Sequence, residues 1–333
     1  MTQRYVVSRP FPESNVGSNL ASLAGAILLA QKLQRRLIVD WRGMAQLQDK
    51  SVNYFAEFFE NRTSFLGVPT SYAPVADAEY GPDSGVPWLS ANEAAAAVRG
   101  ELQLDDAEHV VLQQYHGPDR LMPGPESDRF AFLRQFYREI APAPELREAI
   151  DGWADEQLGG RFVVGINIRT GNGSYFGRGM RYAGRVDLGV LQDEVRLVRV
   201  LSRAVRRLGR RLPRPVRTAS ATFYATDSEA MSRVLSTLPG AVTRRRTYPP
   251  PDAGDLYSFD GSSSQDRASV VDTLADMFLL ARCDALIYNN STFNQYARVL
   301  NGYFGGDLIH VDTLFARRRV QMLASAARRR IPV

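Results

Sequence analysis

Four short stretches of this chain combine residue types that can hold a phosphate or a polar base. In Asn167-Ile168-Arg169-Thr170-Gly171-Asn172-Gly173 an apolar run ends in an arginine, and two glycines follow. A guanidinium fixed at such a point can pair bidentately with a phosphate, and the glycines let the backbone approach it. A structural ion pair at Arg169, with glycines that only turn the chain, is the plainer alternative. In Phe223-Tyr224-Ala225-Thr226-Asp227-Ser228-Glu229 a strand pattern runs into Thr-Asp-Ser at the start of a helix. An ordinary N-cap accounts for those three residues as well as a ligand does. In Tyr288-Asn289-Asn290-Ser291-Thr292-Phe293 another strand pattern runs into hydroxyls that open a helix. Free N–H groups and hydroxyls at a helix start make a ready phosphate site, whereas capping needs just one of them. Earlier in the same segment, Asp276 could accept the N1–H and amino protons of a guanine in a paired contact, or face solvent as a helical carboxylate.

The fourth stretch, Asn15-Val16-Gly17-Ser18-Asn19, leads into an apolar helix near the N-terminus. It lacks the full Gly-x-Gly-x-x-Gly spacing of a nicotinamide site, and Asp40 only imitates the acidic residue such a site needs. A dehydrogenase is therefore a poor fit. The sequence also holds no Asp-x-Asp for a metal-bridged nucleotide, no Gly-x-Ser-x-Gly elbow and no Walker loop; its histidines are His109, His116 and His310. Metal catalysis and serine hydrolysis are disfavoured.

The elements that must position these residues read as alternating strands and helices. Arg4 to Ser8, a loop ending Gly17-Ser18-Asn19, a helix from Leu20 to Leu33 and a strand from Arg36 to Asp40 make one βαβ unit, which implies a parallel sheet. Tyr54 to Phe59 reads as a buried helix or a surface loop, Asn92 to Val98 as a helix and His109 to Gln114 as a strand. Helical periodicity over Asp128 to Ile140 and Glu145 to Leu158 ends at Gly159-Gly160, which divides the chain into domains 1–158 and 159–333. In the second domain the strands are Phe162 to Ile168, Ala221 to Ala225, Ala241 to Arg244, Ala285 to Tyr288 and Asp307 to Val311. They alternate with helices at Leu188 to Leu208, Ser228 to Leu238, Val270 to Ala281 and Phe293 to Leu300. A basic helix from Phe315 to Arg330 closes the chain. This is the pattern of a doubly wound sheet, in which ligands sit beyond the carboxyl ends of the strands.

A chain of 333 residues with 44% hydrophobic and 23% charged residues is large enough for two cores and has ordinary globular composition. The formal net charge of +5 comes almost wholly from arginine, since Lys32 and Lys50 are the lysines, and the basic residues are spread along the chain. A phosphate-bearing small molecule satisfies that charge as well as a polynucleotide does, and a nucleic-acid partner is not expected. The single cysteine, Cys283, lies in an apolar run, so neither a disulfide framework nor a thiolate metal site is expected. A reducing, cytoplasmic setting fits. The apolar run Leu20 to Leu33 falls short of a membrane span and reads as an internal helix.

Taken in order, these segments resemble the nodulation-factor α1,6-fucosyltransferases (NodZ-like), whose relatives include the core α1,6-fucosyltransferases and the protein O-fucosyltransferases. The resemblance rests on Arg4 to Ser8, the Gly17 loop and Arg36 to Gly43 at one end. At the other it rests on Ile168 to Gly173, Ala225-Thr226-Asp227 and Asp276 to Thr292. It implies a glycosyltransferase-B fold, two Rossmann-like domains facing across a cleft, with GDP-fucose held mostly by the second domain and a glycan or small-molecule acceptor entering from the first. It further implies that Arg169 grips the β-phosphate and stabilises the leaving group. Asp276 would read guanine, Ser291 and Thr292 would add phosphate contacts, and Asp227 would shape the donor pocket. Asn167, Asn172, Gly17, Ser18 and Asn19 complete the expected donor site, with no metal and no further cofactor. Asn167 stands where relatives commonly have a histidine. Where they offer a carboxylate soon after the arginine, this chain has Ser174-Tyr175-Phe176-Gly177; the base is then Asp187, a first-domain residue such as Asp40, or not strongly required if the transition state is highly dissociative.

The expected activity is thus inverting, metal-independent fucosyl transfer to a hydroxyl. Two alternatives keep the fold: another nucleotide sugar as donor, or a catalytically silent protein that binds a sugar nucleotide or a glycan.

Overall fold

Two sheets organise the protein, one wholly parallel and one parallel except for an antiparallel strand at its rim, and their central strands are short, apolar and buried. The computed structural model describes residues 4–9, 11, 14, 16–44, 47, 49–72, 85–104, 109–113, 121–122, 124–168, 220–226, 229–248, 267–288, 292–300 and 309–310. Contacts divide the chain into two compact units, Met1–Ile150 with Phe259–Ala275, and Asp151–Ser258 with Asp276–Val333.

In the first unit, β1 (Tyr5–Ser8), β2 (Arg36–Val39) and β6 (His109–Leu112) form the centre of a six-stranded sheet, in which β3 (Ser64–Phe65) and β4 (Val68–Ser71) lie beyond β2 and β5 (Trp88–Leu89) beyond β6, in the order β3-β4-β2-β1-β6-β5. β1 pairs in parallel with both neighbours, Val7 lying beside Ile38 and Val111. Val7, Ile38 and Val111 are buried together with Tyr5, Val86 and Trp88 packed on them, as Val- and Ile-rich strands covered on two faces must be. The connection from β1 to β2 is α1 (Val16–Leu33), whose Leu20, Leu23, Ile27 and Leu29 are fully buried. By length and composition α1 is apolar enough to cross a membrane, yet 78% of it is buried inside the protein. That burial is the ordinary state of a crossover helix packed on a parallel sheet.

The sequence pattern placed Gly17-Ser18-Asn19 in a loop; the structure places them in the first turn of α1, which begins at Val16. Their small, turn-forming side chains are compatible with either state, and all three are buried. Tyr54–Phe58 form the buried helix α2, capped by Asn53, whose side chain accepts from the N–H groups of Phe55 and Ala56. β5 is Trp88–Leu89, and the helix read at Asn92 to Val98 is α3 (Ala91–Arg99), opened by a reciprocal Ser90 and Glu93 capping box. The pattern did not show β3 (Ser64–Phe65) and β4 (Val68–Ser71), an antiparallel pair turned at Leu66 and Gly67, both with positive φ. α4 (Glu126–Glu139) and α5 (Pro144–Leu158) follow.

In the second unit the sheet order is β11-β10-β7-β8-β9, with every pair parallel. β7 is Phe162–Ile168, β8 Ser220–Thr226, β9 Ala241–Thr243, β10 Ala285–Tyr288 and β11 Ile309–His310. The order reverses at β7, with β8 and β9 to one side and β10 and β11 to the other, so β7 and β10 flank the topological switch point. The helices α6 (Glu229–Ser236) and α8 (Thr292–Leu300) belong to this unit and α7 (Arg267–Arg282) enters it at Asp276, each within a few residues of its expected span. The helices expected at Leu188 to Leu208 and Phe315 to Arg330 lie outside the described residues.

Close packing explains one residue of β7. A β-carbon on Gly165 would lie 2.7 Å from Cys283 Sγ and 2.9 Å from Leu286 Cδ2. Cys283 is itself buried, and that burial pushes its thiol pKa up. Gly165→Ala is therefore expected to destabilise the protein by about 1–3 kcal/mol through overpacking. Urea denaturation checks this, and adding Cys283→Ala should recover part of the loss.

Candidate functional site

At the carboxyl end of β7, Asn167, the strand's penultimate residue, turns its amide to the start of α8. Its Nδ2 donates to Asn294 Oδ1 at 2.9 Å, and both residues are buried. This bond ties the end of one switch-point strand to the helix that follows the other. Thr292 is the first residue of α8. Sequence reasoning singled out Asn167 and Thr292 but missed Asn294, because an asparagine in a helix start reads as a cap or a solvent-facing residue.

The second cluster forms where β8 ends. Asp276, on α7, is only 3% exposed, which excludes the solvent-facing reading of this carboxylate. Its Oδ1 accepts from Arg244 Nε at 3.2 Å and its Oδ2 from Arg246 Nη1 at 2.8 Å. The same Arg246 nitrogen donates to the carbonyl oxygen of Thr226, the last residue of β8, at 3.1 Å. The Arg246 guanidinium lies 5.5 Å from the Tyr248 ring centroid. Burial raises the Tyr248 phenol pKa above its ordinary value, while a hydrogen bond with Ser232 and the two nearby guanidiniums lower it in part. These arginines were missed because an Arg244-Arg245-Arg246 run reads as a solvated face. The signal lay in the two-residue period: Arg244, Arg246 and Tyr248 are part-buried, whereas Arg245 and Thr247 are exposed, as in a chain that stays extended past β9.

In the first unit, polar residues gather where β1 and β2 end and α1 begins. Ser8 closes β1, and Ser18 and Asn19 stand in the first turn of α1, all three buried. Asn19 Nδ2 points at Met44 Sδ at 3.8 Å, while Ser8 Oγ and Asn19 Oδ1 are buried without a hydrogen-bond partner among the described residues. Asp40, directly after β2, is fully buried and held bidentately by Arg42, through Nε at 2.8 Å and Nη2 at 2.9 Å. Asn53 fixes this corner, donating to Val39 O at 2.7 Å and accepting from the Trp41 N–H at 3.2 Å. Trp41 packs edge-on against Phe55 with centroids 5.1 Å apart. Arg169, Asn172, Asp187, Asp227 and Ser291 lie outside the described residues.

The model of the family described as Nodulation protein Z (NodZ) matches residues 127–320, more than half of the chain. The chain belongs to the NodZ family. That match bears out the resemblance read from the motifs, and it takes in every candidate residue of the second unit. Nodulation protein Z of Bradyrhizobium diazoefficiens is 29% identical over 324 residues, covering 89% of this chain and 79% of the relative. Nodulation protein Z of Sinorhizobium fredii is 27% identical over 311 residues, covering 90% of this chain and 91% of the relative. Among solved structures, the NodZ alpha-1,6-fucosyltransferase soaked with GDP-fucose superposes with a TM-score of 0.57 at 23% identity, over 90% of this chain and 92% of that one. Such a likeness extends the shared fold to nearly the whole NodZ-family chain.

The Asp40 and Arg42 pair generates a direct test. Arg42→Met leaves a buried carboxylate without its counter-charge, for an expected loss of about 3–5 kcal/mol. The double variant Asp40→Asn/Arg42→Met should lose less than Arg42→Met alone, measured by urea unfolding.

Proposed function

We propose that this NodZ-family protein is an inverting, metal-independent fucosyltransferase of glycosyltransferase-B type, moving fucose from GDP-fucose to a hydroxyl of an oligosaccharide or glycosylated natural product. The observation that carries this reading is the family match over residues 127–320, which spans Asn167, Arg169, Asn172, Asp187, Asp227, Asp276, Ser291 and Thr292 in their expected order. The relative soaked with GDP-fucose supplies the donor class.

In this reading the second unit binds the donor. The Asp276 carboxylate accepts from guanine N1–H and the 2-amino group. Arg169 follows β7 directly in the chain, and it pairs with the β-phosphate. The start of α8, with Ser291 and Thr292, adds N–H and hydroxyl donors. Asp227 and Asn172 complete the pocket on this side. From the first unit, Gly17, Ser18 and Asn19 offer the opening turn of α1, where backbone N–H groups have no partner within the helix.

Transfer then breaks the bond between fucose C1 and the β-phosphate oxygen. An acceptor hydroxyl forms the new bond to C1 from the opposite face, and its proton passes to a base. Negative charge collects on the departing GDP, where a fixed guanidinium and preorganised N–H donors stabilise it in place of a divalent ion. Of the two candidate bases, Asp40 is already engaged at both oxygens by Arg42, so protonating it would sacrifice charge-assisted bonds. We therefore assign the base to Asp187. The single buried cysteine supports a cytoplasmic setting.

The absence of a carboxylate in Ser174-Tyr175-Phe176-Gly177 favours one second reading, a silent sugar-nucleotide or glycan-binding protein. Detectable transfer or donor hydrolysis rules it out. For the enzyme reading, Arg169→Ala should lower the transfer rate by about 100- to 1,000-fold, while wild-type GDP binding, measured by calorimetry, survives excess chelator. A variant retaining its rate within a few-fold sinks the role given to Arg169.

A further inference from the structure

We propose that Arg244 and Arg246 are positioning residues for Asp276, and that together they set the preference of this site for a purine nucleoside diphosphate bearing a 2-amino group. The inference rests on the reading of Asp276 as the base-contacting carboxylate.

The argument starts from the burial of Asp276. A carboxylate this deeply buried is not tolerated as an isolated charge; it neutralises unless it is paired and hydrogen-bonded. Protonation would convert one acceptor oxygen into a donor, which cannot meet a base edge that itself carries two donors. The two guanidiniums remove that difficulty from opposite ends of the carboxylate, Arg244 Nε on Oδ1 and Arg246 Nη1 on Oδ2. One bond to each oxygen also fixes the plane of the group, so its remaining lone pairs keep a defined direction.

Arg246 does more than balance charge. Its Nη1 is shared between Asp276 and the backbone carbonyl of Thr226, so the carboxylate on α7 is referenced to the carboxyl end of β8. A planar, delocalised cation suits this bridge, and a lysine ammonium matches it poorly. The Tyr248 ring beneath the guanidinium and the extended run from Arg244 to Tyr248 hold the bridging side chain in turn. Arg244 and Arg246 are themselves largely buried, with side chains 14% and 8% exposed. A carboxylate held in one plane by buried partners has fixed acceptor directions, and fixed directions are what discrimination among bases requires.

Guanine and hypoxanthine differ at the 2-amino group alone, so the ratio of GDP to IDP affinity isolates the predicted contact. Calorimetry on the full chain should give wild type a preference for GDP of about tenfold or more, the value of one hydrogen bond to a charged group. Asp276→Asn should bring the ratio near unity. Arg244→Gln and Arg246→Met should lower it at least threefold, and Arg246→Lys should restore part of what Arg246→Met loses. Circular dichroism and melting temperature establish that each variant is folded; if Arg246→Met does not fold, Arg244→Gln and Arg246→Lys decide the matter. A merely structural role weakens GDP and IDP alike. Folded arginine variants that keep the wild-type ratio while Asp276→Asn loses it overturn the positioning role and leave the base contact standing. An unchanged ratio in Asp276→Asn overturns the base contact and this inference with it.

Discussion

Parallel pairing is the constraint on which the rest of this protein depends. Because neighbouring strands run the same way, the antiparallel β3 at the rim of the first sheet excepted, the strands of each sheet end at one edge and the crossover helices start there. In the second unit β7 and β8 pair over seven residues in unbroken register, from Phe162 beside Ser220 to Ile168 beside Thr226. That register sets Asn167 beside Ala225 and brings both strands to an end together. Polar side chains that an apolar strand interior could not accept are therefore collected at one edge: Asn167 and Thr226 from strands, Asn294 and Asp276 from helices, Arg244 and Arg246 from the extended segment past β9. The first unit repeats the device with Ser8, Asn19 and Asp40.

Each cluster meets the cost of burying polar groups in its own way. Asn167 and Asn294 satisfy one another across the switch point with neutral amides. Asp276 and Asp40 are charged, and each is met by guanidinium groups that approach in a fixed geometry. The two carboxylates differ in which side chains hold them. Asp40 is held at both oxygens by the Arg42 guanidinium and at Oδ1 also by the Arg42 backbone N–H. Asp276 is held by two separate arginines, one at each oxygen.

The repeating strands and helices were legible because four-to-seven-residue apolar runs and helical periodicity survive without tertiary context. β7 and β10 match their expected spans, and α7 and α8 lie within a few residues of theirs. β3, β4 and β5 were not legible: two residues are too few to establish a period in β3 and β5, and Pro69 interrupts the apolar run in β4. The start of α1 was misread because glycine, serine and asparagine favour turns when read locally, whereas packing on the first sheet makes them helical. At the candidate site, the residues that could touch a ligand were named from their place after strands. Those that hold them were not: Arg244 and Arg246 hid in a charge run, and Asn294 and Asn53 looked like ordinary caps. Supporting side chains are chosen by three-dimensional neighbours, and a linear pattern records such neighbours only faintly.

The central claim is that a guanine-bearing sugar nucleotide is bound and cleaved here by fixed cationic and backbone donors. Incubating the protein with a panel of GDP-, UDP- and dTDP-sugars in excess chelator, and following the freed nucleotide by mass spectrometry, tests it most directly. The account predicts release of GDP from GDP-fucose, with the other nucleotides left intact. Release of UDP or dTDP instead, or turnover that begins only when a divalent metal is restored, contradicts it.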